Sequence, residues 1–314
     1  MKIKKEIAIL FFIIVVLLFY IFSEKGEKTH YQLPDIETVN TEDISKISIS
    51  SKDSDITLIK GDDGWLIAPQ NYPADETMVN NLVRTISVLK LTALVSESKN
   101  YSIYELDKDN RIEVESYAGD KVLRKISIGK PASSYRHTFV MLGDDHRVYH
   151  AEGNMKNEFD KTISDLRDKL VMKFSDEISE VIMQKGGNEL TVLRGTPPVS
   201  VDITDKDSKA GVEDLAKWIA ADGSPVKAEE IDEIISSLSN FKCDEFIEDR
   251  EKDDFKSSLF TLTLKGINTY KMSLFEKEDD QYPGISSESE YPFLISEWKA
   301  KRIMKELDSL ELGE

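Results

Sequence analysis

Cysteine is nearly missing from this chain. Cys243 is the only one in 314 residues, so an intramolecular disulfide is excluded and stability must come from a packed core. Beside Phe241 and Phe246, that thiol reads as a small core residue and not as a nucleophile. Histidine is also scarce, at four residues. His146 and His150 have the i, i+4 spacing that binds zinc on a helix, but Arg147-Val148-Tyr149 between them is β-prone. On a strand the two positions stand roughly 13 Å apart, and no third ligand follows at zinc spacing. His30 and His137 lie in polar surroundings.

Motifs that carry chemistry are missing too. The chain has no phosphate-binding glycine loop, no nucleophile elbow and no histidine-glutamate metalloprotease motif. Asp205-Lys206-Asp207-Ser208-Lys209-Ala210-Gly211 begins like a calcium loop, yet it places lysine at the fifth ligand position, alanine at the required glycine and Ala216 where the bidentate glutamate belongs. Asp107-Lys108-Asp109-Asn110-Arg111 fails similarly, and both read as loop acids. The expectation is a non-enzymatic protein with no catalytic, cofactor-binding or metal residues. Positive charge is in deficit: 41 Lys and Arg against 59 Asp and Glu give a formal net charge of −18. Nucleic acid is therefore a poor partner, as is a surface of anionic lipid headgroups.

One long hydrophobic stretch is present. Ile7 to Phe22 carries no charge and follows Lys2, Lys4 and Lys5. As a helix it spans roughly 24 Å, somewhat short of the roughly 30 Å hydrocarbon core. A cleaved signal peptide would end in small residues, whereas Tyr20-Ile21-Phe22-Ser23-Glu24-Lys25 offers bulk and then charge. The run therefore predicts a single transmembrane anchor, with Ile7, Leu10, Phe11, Ile14, Val15, Leu18 and Phe22 in contact with the lipid bilayer. The preceding lysines place the N-terminus in the cytoplasm and the rest of the chain outside it, on a bacterial inner membrane.

Beyond the anchor the chain repeats itself. Ile44-Ser45-Lys46-Ile47 and Asp55-Ile56-Thr57-Leu58-Ile59-Lys60-Gly61 align without a gap on Ile178-Ser179-Glu180-Val181 and Glu189-Leu190-Thr191-Val192-Leu193-Arg194-Gly195, at a constant offset of 134. Trp65 and Trp218 follow, the second after a polar insert from Thr196 to Lys217, and then Pro73 and Pro225. Val79, Leu82, Val83, Ile86 and Leu89 form a helical stripe whose intervals recur in Ile231, Ile234, Ile235, Leu238 and Phe241. Ser224-Pro225 fits the start of the second helix. Strand alternation follows in both copies, with Lys125-Ile126-Ser127-Ile128 answering Lys271-Met272-Ser273-Leu274. A closing helix is expected from Phe159, Ile163 and Leu166 and from Ile303, Leu307 and Leu310. Gly143-Asp144-Asp145 and Gly186-Gly187-Asn188 read as hairpin turns. The expected fold class is α+β: a transmembrane helix over 1–22, a linker over 23–43, and a duplicated two-lobe ectodomain over 44–172 and 173–314. Each lobe is read as strands, helix, strands, helix.

Gly64-Trp65-Leu66-Ile67, Tyr72-Pro73-Ala74-Asp75 opening a helix, Tyr104-Glu105-Leu106-Asp107, Ile126-Ser127-Ile128-Gly129-Lys130 and Val148-Tyr149 together resemble the bacterial domain of unknown function 4340 family. The sequence departs from that pattern at Glu105, where the family commonly has glycine, and at Trp218, which lacks the full proline-alanine-aspartate sequel. The resemblance implies one N-terminal span, an exported α+β region and association with ABC transporter subunits of the gliding-motility type. It implies no catalytic residue. The expected function is thus a non-enzymatic accessory or scaffold of such an assembly. The alternative is an extracytoplasmic ligand-binding or hydrolytic domain using a cleft between the lobes.

Overall fold

The computed structural model describes residues 12–17, 19, 31–195 and 218–310. It divides into two compact units: one comprises Val79–Lys161 with the chain up to Asp62, the other Asp63–Met78 with the chain from Thr162 onward.

In the first unit, β1 (Lys46–Ser50) and β2 (Asp55–Gly61) form a hairpin in which Ile47 faces Leu58 and Ile49 faces Ile56, all four fully or almost fully buried. The short strands β3 (Gly64–Ala68) and β4 (Tyr72–Pro73) pair with each other in the second unit. The helix α1 (Glu76–Ser87) opens on Asp75, whose Oδ1 accepts the amides of Thr77 at 3.0 Å and Met78 at 3.1 Å. Val79, Leu82, Val83 and Ile86 are its buried stripe, each at 5% exposure or less, as the spacing requires. Burial of this kind contributes about 1.5–3 kcal/mol per fully buried aliphatic side chain. The unit continues through β5 (Leu91–Ser96), β6 (Ile112–Ala118), β7 (Lys121–Pro131), β8 (His137–Leu142) and β9 (Asp145–Glu152), all joined antiparallel, with the order β2-β1-β6-β7-β8-β9-β5. Gly143 takes the positive φ of 51° at the β8–β9 turn.

Two one-turn helices follow, α2 (Met155–Phe159) and α3 (Ile163–Leu166). In the second unit come β10 (Leu170–Lys173), β11 (Glu180–Lys185), β12 (Asn188–Arg194), β13 (Trp218–Ala220), α4 (Ala228–Leu238), β14 (Asn240–Lys242), β15 (Glu245–Phe246), β16 (Phe260–Lys265), β17 (Thr269–Leu274), β18 (Gln281–Ser286), β19 (Phe293–Ser296), α5 (Glu297–Ile303) and α6 (Leu307–Leu310). The main sheet runs β13-β12-β11-β16-β17-β18-β19-β15, and β10 pairs with β14 apart from it. The β11–β12 hairpin repeats the register of the first one: Val181 faces Val192 and Met183 faces Leu190, turning through Gly186 and Gly187 at φ 58° and 86°. Trp218, Ile231, Ile234, Leu238, Leu262, Met272 and Phe293 belong to the single large core beneath this sheet.

Several expectations need correction. The α+β lobe built of strands, helix, strands, helix is not what forms: the chain is mostly antiparallel β-sheet with few helices. The closing helix is broken in each half. Asp160 ends α2, and Thr162 starts α3 with a capping box to Asp165, so Phe159 and Leu166 are buried from two separate turns. Ile303 and Leu307 are likewise divided between α5 and α6. Ser224-Pro225 does not start the second long helix. Pro225 bridges to Ile219, Ser224 hydrogen-bonds Asp222, and α4 begins three residues later.

The N-terminal expectation changes as well. Of the apolar run, residues 12–17 and 19 are helical and exposed, with Ile14 and Val15 at 45% and 44%. Among the described residues no helix is long and apolar enough to cross a membrane. The transmembrane helix of the expected fold is therefore not observed. The single-pass inner-membrane localisation and the bilayer contact rested on it and lose their support. Ile7, Leu10, Phe11, Leu18 and Phe22 lie outside the described residues, as do the calcium-like loop at Asp205–Gly211 and the insert from Thr196 to Lys217.

Candidate functional site

The site with the most unusual chemistry lies in the second unit and is centred on Arg167. Backbone pairing puts it there. Ala74 bridges to Arg167, the Asp75 amide donates to the Leu166 carbonyl at 2.8 Å, and the Asp168 amide donates to the Pro73 carbonyl at 2.8 Å. The Tyr72-Pro73-Ala74-Asp75 segment is thus stitched to the end of α3. Arg167 is 4% exposed, which an arginine tolerates only when its charge is compensated.

Its compensation is largely aromatic. The guanidinium carbon lies 3.7 Å from the Tyr72 ring centroid, 3.8 Å from that of Phe246 and 4.5 Å from that of Tyr291. Tyr291 meets Tyr72 edge-on at 5.5 Å and Phe246 at 6.2 Å, so the rings brace one another. One carboxylate completes the set, Glu248, whose Oε1 is 3.4 Å from Nη1. Burial pushes the Arg167 pKa down, against the opposing pull of Tyr72 and Glu248. A guanidinium remains charged in proteins regardless. Burial raises the Tyr72 phenol, with Glu248 adding to the effect.

An ion cluster sits beside the aromatic box. Lys242 Nζ is 3.0 Å from Asp75 Oδ2 and 3.5 Å from Asp168 Oδ1. Burial acts to raise the Asp75 pKa, but the Lys242 hydrogen bond, the amides of Met78 and Thr77 and the lysine charge outweigh it, and the net shift is downward. On the outer side of the box is an open cavity of about 410 Å³ lined by Tyr72, Tyr291, Pro292, Glu248, Glu290 and the turn from Arg250 to Asp253. Its two cations are already engaged. Arg250 makes a two-pronged pair with Glu278 at 2.8 and 2.9 Å, and Lys252 donates to the Ser286 carbonyl at 2.6 Å. What the cavity presents is therefore aromatic edge and carboxylate.

The residues that sequence reasoning weighed for chemistry lie elsewhere. Cys243 is 2% exposed, and burial pushes its thiol up to about 12, so it is protonated at neutral pH. His146 and His150 both lie on β9. His146 is exposed, while His150 stacks on His137 at 5.6 Å and meets the Phe139 ring at a tilt, 4.7 Å between centroids. The buried Nε2 of His150 has no hydrogen-bond partner, and burial together with His137 holds its pKa down. Asp107 uses Oδ1 to accept from the Asp109 amide at 3.2 Å and the Asn110 side chain at 2.8 Å, a local turn. Among the described residues no three metal-ligating side chains converge. Arg167 itself escaped sequence reasoning because its partners, Tyr72, Phe246 and Tyr291, are distant in the chain and share no period. The only local signal was the Tyr72-Pro73-Ala74-Asp75 string.

Residues 65–258 match the family described as Domain of unknown function (DUF4340), and the chain belongs to that family. No curated protein and no solved structure matches it. The matched span contains Tyr72, Arg167, Phe246 and Glu248.

Proposed function

We propose that the chain is a non-enzymatic accessory or scaffold component of an ABC-type transport or motility-like assembly, and that it docks a partner segment in the cavity beside Arg167. One observation carries the docking reading. The most buried cation of the site is locked between three rings and a carboxylate, so the walls are rigid while the cavity they frame stays open and rich in tyrosine edge. Rigid aromatic walls around an open cavity suit recognition, because little side-chain freedom is lost on contact. The transport context rests on the family resemblance and on nothing in the cavity itself.

The test is crosslinking in the native cell. A photoreactive residue at Glu290, on the cavity rim, is expected to capture a transporter subunit, and the same probe at Asp109 in the first unit is not. Recovery of no transporter subunit from cells where the full chain is abundant and intact would overturn the reading.

A further inference from the structure

A second cavity, about 400 Å³ in volume, lies on the other side of the Lys252 turn and has the opposite chemistry. Lys252, Lys256 and Lys271 line it against a single acid, Asp253, in a chain whose net charge is −18. Phe255 and Ile285 provide an apolar wall; of the serines on the lining, Ser273 is bonded to Thr261 and Ser287 donates to Glu288, which leaves Ser286.

The three lysines lack acidic partners. Lys265, Lys277, Lys299 and Lys305 in the same unit each pair with a carboxylate at 3.0 Å or closer. Among the described residues no such pair involves Lys252, Lys256 or Lys271. The sequence repeat makes the contrast sharper. Lys271 occupies the place that Lys125 holds in the first unit, and Lys125 faces Glu115 across the strands and pairs with it at 2.7 Å. Across from Lys271 stands Thr263. The second unit has kept the lysine without its acid.

Lys252 is the deepest of the three. Its ammonium donates to the Ser286 carbonyl at 2.6 Å, and burial lowers its pKa against the opposing pull of Glu290 and Glu288, neither of which pairs with it directly. Its position is set by the 3₁₀ turn Lys252–Asp254, closed by a capping box between Glu251 and Asp254. The Ser286 hydroxyl accepts the Glu288 amide at 3.1 Å, which leaves its own proton to donate.

We propose that this cavity binds a small phosphate-type anion carrying an apolar substituent, a phosphate monoester in chemical class. The lysines act as point charges toward the oxygens, Ser286 donates a hydrogen bond, and the substituent lies against Phe255 and Ile285. The volume falls within the range of small-ligand sites. The two cavities share Lys252 and Asp253 on their lining, but the anion site is argued from its own lysines and not from partner docking next door.

The experiment is calorimetric titration of the full chain at low ionic strength with inorganic phosphate and with phenyl phosphate. Saturable binding of both is expected, phenyl phosphate the tighter. The double variant Lys256→Gln, Lys271→Gln removes two exposed side chains that the fold does not use, and it is expected to weaken phenyl phosphate binding by about tenfold or more. Lys108→Gln, in the first unit, is expected to bind as the wild type does. Absence of binding at millimolar ligand, or wild-type affinity in the double variant, would overturn the proposal.

Discussion

Gly129 lies directly against the backbone carbonyl of Tyr104. A methyl group built at Gly129 would collide with that oxygen and would stand 2.9 Å from Leu106 Cγ. The segments Tyr104-Glu105-Leu106-Asp107 and Ile126-Ser127-Ile128-Gly129-Lys130 therefore meet in space. The nearest obstacle is a backbone oxygen and not the far end of a flexible side chain. Gly129→Ala is expected to destabilise the protein by about 1–3 kcal/mol, the range for forced overpacking, as read from urea denaturation. An unchanged midpoint would mean that the Tyr104 turn yields.

Next to that contact, Glu105 occupies the left-handed region at φ 54°, ending the 3₁₀ turn Tyr101–Tyr104. Glycine adopts this conformation without the steric cost that a side chain carries. Glu105→Gly relieves backbone strain of about 1 kcal/mol. It also removes a half-exposed pair with Lys156 that contributes at most about 1 kcal/mol. The expected outcome is a stability equal to or above that of the wild type. A loss beyond 1 kcal/mol in the same denaturation series would show that the ion pair dominates.

Arg167 is expected to be irreplaceable by lysine. A planar guanidinium lies flat against the rings of Tyr72, Phe246 and Tyr291, whereas an ammonium is a point charge with a hydration shell to lose. Arg167→Lys and Arg167→Ala are both expected to cost about 2–4 kcal/mol, in keeping with loss of a buried stacked cation. Thermal and urea unfolding check this, and a lysine variant as stable as wild type would refute the stacking account.

The depressed pKa of Asp75 sets a pH dependence. A carboxyl whose folded pKa lies below its unfolded value contributes stability that is present above the unfolded pKa and lost as pH falls through the folded one. Asp75→Asn keeps the helix cap but removes the charge facing Lys242. The stability difference between wild type and Asp75→Asn is expected to be constant above about pH 5 and to shrink below about pH 4. A difference that does not vary between pH 7 and pH 3 would remove Lys242 from the account.

Cys243 offers a check on packing. With its thiol buried and pushed up to about 12, it is expected to resist alkylation at pH 8 in the native protein and to react fully in denaturant. Fast native labelling would show that the connection between β14 and β15, which carries it, opens readily.

The helices and hairpins that depend on local pattern were legible. Val79, Leu82, Val83 and Ile86 carry their periodicity with them, and the pairing of Val181 with Val192 follows from alternation around the Gly186-Gly187 turn. The broken closing helices were not. Phe159, Ile163 and Leu166 have a helical spacing that two short turns also satisfy, and only the capping of Thr162 by Asp165 decides between them.

By itself, the sequence determined what adjacent residues settle among themselves: one thiol and hence no disulfide, an acid excess, two amphipathic helices, and a repeat kept at a constant offset of 134. The tertiary structure decided everything that needs residues far apart to meet. It broke the apparent closing helices, gave the apolar N-terminal stretch no described helix of spanning length, and gathered Tyr72, Phe246 and Tyr291 around Arg167. It also left Lys271 without the acid that Lys125 has. Periodicity records which face of an element is buried, but the identity of the group across that face depends on sheet register and strand order, which no local pattern contains.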